Sequence, residues 1–463
     1  MIRATAVLAA LLLPATAAPA AEWWSKGDAS FSVGGSLRQI GLYQEQTDAS
    51  RFGDAIADDI AANGAATTCV AAADFATCPA FDRVGDDDVV QGFTRLRLEA
   101  DLVVAEWLSA TVVYDNEVRF GMIDTLEAAL GGNLGSQSFV DLDSTISSSE
   151  HYDWRHTLYR GYVEIETERF ELSIGRQRVA WGVGRLWTPI DRFSALLPLD
   201  IQPDITPGID SIDARYNFDG FSYLQAVYAP GDDRDDQRWA VRLHGVVLDA
   251  DVSLMGGMFE QAPTVGADFT TNLFEGAIGL EAVWTAPDHR VWMLDDPGPR
   301  KLPDFWQAVV SYDRNFNLGT GLYVLVEYLY NGNALGTGSG RAGPLEPFFE
   351  ATNTPPDPAI GALVPGPYAT GADQDIFGTS RIVTVAEHQV GSQLGYDLTP
   401  ELRGDFVLLV DVSHGSAAFV PNLAYSPLGN LELTLGVQLF AGPTRSQYGA
   451  SEPLVYLLMD WYF

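Results

Sequence analysis

From Leu431 to Leu439, leucine and valine fill every second position: Leu431, Leu433, Leu435, Val437 and Leu439 alternate with Glu432, Thr434, Gly436 and Gln438. A period of two puts one apolar and one polar face on a single strand. The pattern recurs. Leu96, Leu98 and Ala100 alternate with Arg95, Arg97, Glu99 and Asp101, and Ala110, Val112 and Tyr114 with Thr111, Asp115, Glu117 and Arg119. Leu402, Phe406, Leu408 and Val410 alternate with Arg403, Asp405 and Asp411. No later stretch reaches the ~20 apolar residues of a membrane-spanning helix, and the run Phe406–Val412 is broken at Asp411. Segments of this kind, about ten residues long and separated by turns, predict a transmembrane antiparallel β-barrel whose alternate residues meet lipid.

The connections sharpen that expectation. Short turns at Val104–Trp107, Glu168–Phe170, Phe218–Gly220, Leu248–Asp251, Asn315–Leu318, Leu398–Glu401 and Ser426–Asn430 alternate with long segments at 45–88, 122–153, 181–207 and 332–378. Short periplasmic turns and long outer loops are the habit of bacterial barrels. With 251–260, 263–271 and 277–285 read as three strands, the predicted strands also cover 29–44, 89–104, 107–121, 154–168, 170–180, 208–219, 220–229, 237–248, 304–315, 318–331, 379–398, 401–414, 417–427, 430–441 and 453–463. The count is eighteen, even as both termini on one side require. Sixteen is the alternative if two short pairs are misread. A barrel of either size encloses an aqueous lumen.

Both ends point to export. Arg3, the apolar run Ala6–Leu13 and Ala18-Pro19-Ala20 compose a secretory signal over 1–20, with the mature chain expected from Ala21. The last segment, Pro453 to Phe463, puts Val455, Leu457, Met459, Trp461 and Phe463 on one face. A terminal aromatic after such alternation resembles the C-terminal signal of Gram-negative outer-membrane barrels. Pairing of Phe463 near Phe31 and Val33 is expected to close the barrel. Cys69 and Cys78 share one polar segment with no histidine nearby. In an exported chain they are expected to form a disulfide, stabilising by roughly 2–3 kcal/mol on the chain-entropy model.

A net charge of −35 excludes a nucleic-acid binder with a basic surface. Acids crowd segments 45–88 and 122–153, and Asp86-Asp87-Asp88 and residues 232–236 form runs that read as solvated faces, with divalent-cation binding as the alternative. The six histidines fall in no H-E-x-x-H and no G-x-S-x-G occurs, so no enzyme motif and no cofactor is indicated.

The most distinctive stretch is 170–210. It contains Gly175-Arg-Gln-Arg178, Trp181-Gly-Val-Gly-Arg185 and Trp187-Thr-Pro-Ile-Asp191. Its middle, 181–207, is the third outer connection, and Leu186, Trp187, Ile190, Phe193, Leu196, Leu197, Leu199 and Ile201 make it too apolar to stand in water. Folded inward, it would narrow the lumen, with Arg176, Arg178, Arg185, Asp191 and Arg192 at the constriction. Arg176 and Arg178 share parity with Leu172 and Ile174, so they face inward only if a bulge shifts the alternation. A strand ending in Gly-Arg-Gln, then a Trp-Gly turn and a Trp-x-Pro-x-Asp loop, resembles the alginate-export porins over about forty residues. That resemblance implies eighteen strands and an arginine-rich lumen passing an anionic polysaccharide. The acidic outer segments depart from it, and the substrate does not carry over.

Arg95, Arg97, Glu99, Asp115, Glu117, Arg119, Arg160, Glu164, Asp213, Arg215, Arg242 and Glu327 are expected in the lumen, either as a transverse field acting on solutes or as cross-strand ion pairs. The reading that follows is a passive outer-membrane channel for small polar or charged solutes. Its other expected contacts are outer-membrane lipid, lipopolysaccharide and the barrel-assembly machinery. An adhesin or receptor barrel and a membrane-embedded hydrolase are the alternatives.

Overall fold

A computed structural model describes residues 21–44, 89–121, 139–149, 152–194, 198–202, 206, 208–231, 237–287, 304–332, 386–443, 446–449 and 451–463, with short pieces at 290–293, 300–301, 334, 351–352 and 384. The signal over 1–20, Cys69 and Cys78, Asp86-Asp87-Asp88 and the 232–236 run lie outside the described residues.

The strands, in chain order, are β1 (Ala21–Lys26), β2 (Ala29–Gln44), β3 (Val89–Ala105), β4 (Leu108–Phe120), β5 (Asp143–Ser149), β6 (Tyr152–Glu166), β7 (Phe170–Gln177) and β8 (Ile209–Asn217). Then come β9 (Tyr223–Ala229), β10 (Arg238–Val247), β11 (Ala250–Phe259), β12 (Ala262–Leu273), β13 (Gly276–Thr285), β14 (Arg290–Met293), β15 (Arg300–Lys301) and β16 (Phe305–Phe316). The last are β17 (Leu322–Asn331), β18 (Ala351–Thr352), β19 (His388–Thr399), β20 (Leu402–Asp411), β21 (Ser416–Leu428), β22 (Leu431–Ala441) and β23 (Leu454–Tyr462). β14, β15 and β18 pair among themselves in a small separate sheet. Leaving out β1 and β5, the strands of the large sheet form a closed antiparallel barrel of 18 strands, which removes sixteen as a count.

Alternation sets the two faces. Leu96, Leu98 and Leu102 of β3 are exposed on the outside, while Arg95 and Arg97 between them are largely shielded inside. The same holds on β13, where Leu280 is exposed and Glu281 buried. Exposed aromatics cluster towards the strand ends, among them Trp107, Phe170, Phe218 and Phe274 at the short-turn end and Phe120, Trp154, Trp239 and Trp306 at the other. That is the placement a lipid-facing band with interfacial girdles requires.

Several boundaries depart from the pattern for local reasons. The strand expected from 220 starts at Tyr223, because the Asp219 carboxylate accepts the N–H groups of Phe221 (2.8 Å) and Ser222 (2.7 Å) and holds the turn open. The strand expected from 318 starts at Leu322, after Gly319 and Gly321 turn the chain at φ 59° and 119°. At the end where long connections were expected, β11 and β12 join through Glu260 and Gln261 alone, both left-handed (φ 49° and 59°), the backbone of a type I′ hairpin.

The seam differs from expectation by a shift along β2. Phe463 pairs with Gly35, its N–H donating to the Gly35 carbonyl (2.9 Å) and its carbonyl accepting from the Gly35 N–H (2.8 Å). The edge of β2 beyond that point is occupied: Ala21–Lys26 pairs with Val33–Ala29, so β1 and β23 share one edge of β2 end to end. β5 does the same for β6. The β6–β7 ladder stops at Arg176 opposite Gly161, and Asp143–Ser149 takes up the edge of β6 from Thr157 to Tyr152. A serine-rich segment read as loop therefore completes the wall where a barrel strand is short.

Candidate functional site

The shortness of β7 and β8 decides where the chain leaves the wall. It departs after Gln177 and returns at Ile209. The described residues between them, 178–194, 198–202, 206 and 208, lie inside the lumen, against the inward faces of the strands. Trp181 donates to Gln225 of β9 (3.1 Å), Phe193 packs edge-on against Phe259 of β11 (centroids 5.1 Å apart), and Leu186 and Trp187 pack with Val309, Leu325 and Leu409. Ile190 and Trp187 are 0% and 2% exposed, and each such burial contributes roughly 1.5–3 kcal/mol.

Two wall carboxylates hold the backbone of this loop. Glu281 on β13 accepts the N–H groups of Val183, Gly184 (2.6 Å) and Ile190 (3.2 Å). Glu327 on β17 accepts those of Arg185 (2.9 Å), Leu186 (3.1 Å) and Trp187 (2.7 Å). Converging backbone N–H groups form an anion-binding nest, here filled by a side chain. The glycines of the Trp-Gly-Val-Gly motif make the approach possible: a Cβ on Gly182 would lie 2.6 Å from the Glu281 Oε1. On the neighbouring strand β19, Gly391, the ladder partner of Glu327, leaves room for the loop, since a Cβ there would overlap Leu186 and come within 3.0 Å of the Trp187 ring.

Beyond Phe193 the loop engages the other side. The Leu199 carbonyl accepts from Gln438 of β22 (2.8 Å), the Gln202 Oε1 accepts from Arg38 (3.3 Å) and Arg95 (2.9 Å), and the Thr206 carbonyl accepts from Tyr159 (2.7 Å) and Arg160. β11 and β22 stand nearly opposite in the ring. The described residues on either side of this loop therefore contact walls that stand nearly opposite each other. The last long connection also turns inward: Tyr448 sits among Leu409 and Ala418, with its hydroxyl on Gln389.

Most of the sequence-identified lumen charges are matched in pairs. Arg95 meets Glu117 (2.6 Å) and Arg97 meets Asp115 through two bonds of 2.7 Å. Arg119 also reaches Glu117, and Arg242 meets Asp268 (3.2 Å). Arg215 lies 3.6 Å from Glu171 and stacks on Tyr223. Glu99 is exposed on the lumen face of β3 below Arg97. Arg192 is buried, donating to Thr285 (3.2 Å) and Gln307 (2.7 Å). Arg176 keeps the parity of Ile174 and is 4% exposed, donating to Asp210 (3.0 Å), to the Leu158 carbonyl (2.9 Å) and to the Val140 carbonyl. Arg178 and Arg185 differ from these: both side chains are exposed and, among the described residues, neither forms a direct ion pair, although Asp191 lies near Arg178 and Glu327 near Arg185.

Asp191 lies inside the loop, its carboxylate accepting the N–H groups of Phe193 (3.2 Å) and Ser194 (2.8 Å). Burial pushes its carboxyl up to about 7, against those bonds and the nearby Arg178. A folded-state value above the ordinary carboxylate range contributes stability that is full below about 4 and is lost as pH rises through about 7. The loop is therefore expected to resist proteolysis better at pH 5 than at pH 8, and Asp191→Asn should remove most of that difference. An unchanged pH dependence in Asp191→Asn counts against this assignment.

A cavity of about 380 Å³ opens between the loop and β4, β6, β7, β8 and β9. Arg160, Arg178, Gln177, Glu164, Glu171, Asp213, Arg215 and Gln225 line it, with Thr111, Val113, Tyr162 and Ser173. Elsewhere, Asp411, His414 and Ser416 form a compact polar group. The His414 Nδ1 is 2.9 Å from the Asp411 carboxylate, but the Ser416 hydroxyl also donates to that carboxylate (3.5 Å) and is buried. A serine bonded to the acid instead of the imidazole is not an activated nucleophile.

Glu281 carried the sharpest missed signal: a lone acid at an inward position between Leu280 and Ala282. No protein-family model matches the chain, and no curated protein matches it. Among solved structures, a BenF-like porin from Pseudomonas fluorescens Pf-5 superposes with a TM-score of 0.50 at 11% identity, over 94% of this chain and 98% of that one. OccAB1 from Acinetobacter baumannii gives 0.49 at 11%, over 94% and 96%, and OprD from Pseudomonas aeruginosa 0.43 at 8%, over 93% of each. At such identities the likeness to the BenF-like porin is one of fold, and the chain has the closed eighteen-stranded barrel of a porin.

Proposed function

We propose that the chain is a channel of the Gram-negative outer membrane, through which small polar or charged solutes diffuse past the inner loop. The observation that carries this reading is the loop itself. It is fixed to opposite walls, by Glu281 on β13 and by Arg95 on β3, and leaves a charged, water-accessible cavity beside it, with Arg178 exposed at its edge. A barrel serving only as a scaffold for outer loops needs no anchored element of this kind in its lumen. Transport past it is passive, and the side with short turns faces the periplasm. The motif shared with the alginate-export porins builds the loop: Gly175 to Gln177 ends the strand, and Trp181 to Asp191 fills the lumen. This supports a common loop architecture. It does not extend to a polyanion substrate, because most lumen arginines are already matched by acids.

Planar-bilayer recording tests the reading directly. Discrete single-channel steps are expected, and a sealed barrel rejects it. Reversing one exposed charge at about 8 Å from a passing ion changes its energy by about 1 kcal/mol in water. Arg178→Glu is therefore expected to raise cation over anion permeability roughly fivefold after screening by salt. Arg176→Glu should lower folded yield instead, because Arg176 is buried against Asp210 and backbone carbonyls. Equal selectivity in wild type and Arg178→Glu removes Arg178 from the conduction path.

A further inference from the structure

The charges around the cavity are sorted by level. On β6, Arg160 stands four residues from Glu164 on the same face, nearer the end with long connections. Arg178 follows directly on Gln177, the last residue of β7, and Gly161 opposite Arg176 brings it level with Arg160. Lower down, Ser173 pairs with Glu164 on one side and Asp213 on the other, which sets those two carboxylates at one level. Among the described residues Arg160 and Arg178 form no direct ion pair; the acid near Arg178, Asp191, is buried inside the loop and bonded to backbone N–H groups. Arg160 donates instead to the carbonyls of Thr206 and Tyr159. Among the described residues Asp213 accepts hydrogen bonds from the Gln225 amide alone (2.8 and 3.0 Å), and the cation beneath it, Arg215, already faces Glu171. The cavity thus has a cationic storey above an anionic one, each short of counter-charge, with polar walls between.

We infer that this cavity is a subsite for an extended zwitterion, held with its anionic group towards Arg160 and Arg178 and its ammonium towards Glu164 and Asp213. The inference rests on the channel reading for its biological meaning but on the cavity alone for its chemistry. A simple anion satisfies the upper storey and meets repulsion below, and a simple cation the reverse. Only a solute carrying both charges complements both. Length matters too. Four strand residues span about 13 Å, or about 10 Å along the axis of a tilted barrel, before the side chains lean in. An α-amino acid, with its charges on adjacent carbons, is too short to touch both storeys. An acid and an amine separated by about five methylenes fit.

The test uses the full barrel in detergent and four probes: 6-aminohexanoate, hexanoate, hexylammonium and glycine. Affinity is read calorimetrically and by tryptophan emission, since Trp181 is bonded to the cavity residue Gln225. 6-Aminohexanoate is expected to bind at least about tenfold more tightly than each of the other three. Arg178→Gln should reduce its advantage over hexylammonium, and Glu164→Gln its advantage over hexanoate. If hexanoate, hexylammonium or glycine binds within about threefold of 6-aminohexanoate, or if nothing binds, the inference is overturned. Conductance on the same preparation separates the two readings. A sealed barrel that prefers the zwitterion overturns the channel and keeps the subsite, and a conducting barrel without that preference does the opposite.

Discussion

Replacing Glu281 and Glu327 together by alanine is expected to release the inner loop while leaving the barrel closed. Each carboxylate accepts three backbone N–H groups, and each lies beneath the loop it holds. Hydrogen bonds to a charged acceptor contribute roughly 1.5–3 kcal/mol each, and donors stranded by its removal add a desolvation penalty. Loss of about 3–5 kcal/mol per site follows, with part of it regained as water enters. Two readouts are expected to move together. Single-channel conductance should rise and become noisier, and trypsin should cut at Arg192, which is buried in the intact loop. The single variants should couple, because both anchors hold the same short stretch, 183–190. Glu281→Gln and Glu327→Gln keep an acceptor oxygen and should fall between wild type and alanine. Wild-type conductance with Arg192 uncut in the double variant would sink the anchoring argument, provided heat-modifiable migration shows a folded barrel.

The wall was legible because period-two alternation is enforced on every strand by lipid outside and water inside, and because turn residues punctuate it. The need of Leu186, Trp187 and Ile190 to leave water was legible too, and all three are buried. What alternation cannot supply is the partner of an inward residue. Glu281 and Arg95 are equivalent by parity, yet one takes backbone N–H groups from the loop and the other takes Glu117. The choice depends on where the loop runs, and that path is set by contacts between strands far apart in sequence. Arg176 shows the same limit from the other side. Its parity puts it with Ile174, and no bulge corrects that. Segment 140–143 approaches it from a different loop and supplies the Val140 carbonyl and Asp143 (3.9 Å). β5 is invisible for a related reason: a serine-rich segment becomes a strand only because β7 stops short and leaves the β6 edge open.

The same reasoning about edges predicts the most severe single substitution, Gly35→Val. Gly35 is the point where the first and last barrel strands meet the C-terminal residue, through the two backbone bonds to Phe463. A Cβ on Gly35 would overlap the Arg97 carbonyl oxygen on β3 and come within 3.0 Å of the Phe463 ring. Neither neighbour can easily yield. The carbonyl belongs to the β2–β3 ladder, and the ring is carried by a residue whose backbone is already bonded on that edge. Overpacking alone costs about 1–3 kcal/mol. Here it is imposed on a seam whose opening leaves backbone groups unpaired in lipid, each at a cost of several kcal/mol. The expected result is a sharp fall in the heat-modifiable folded fraction after refolding into detergent. Gly429→Ala is the matched control, since a Cβ there meets nothing within 4 Å. Phe463→Ala separates the two contributions. It keeps both backbone bonds and removes only the ring, so it should fold better than Gly35→Val. If Gly35→Val refolds like Gly429→Ala, the seam has enough slack to absorb a side chain. Closure would then rest on the remaining β2–β23 ladder, from Ser36–Tyr462 to Gln44–Leu454.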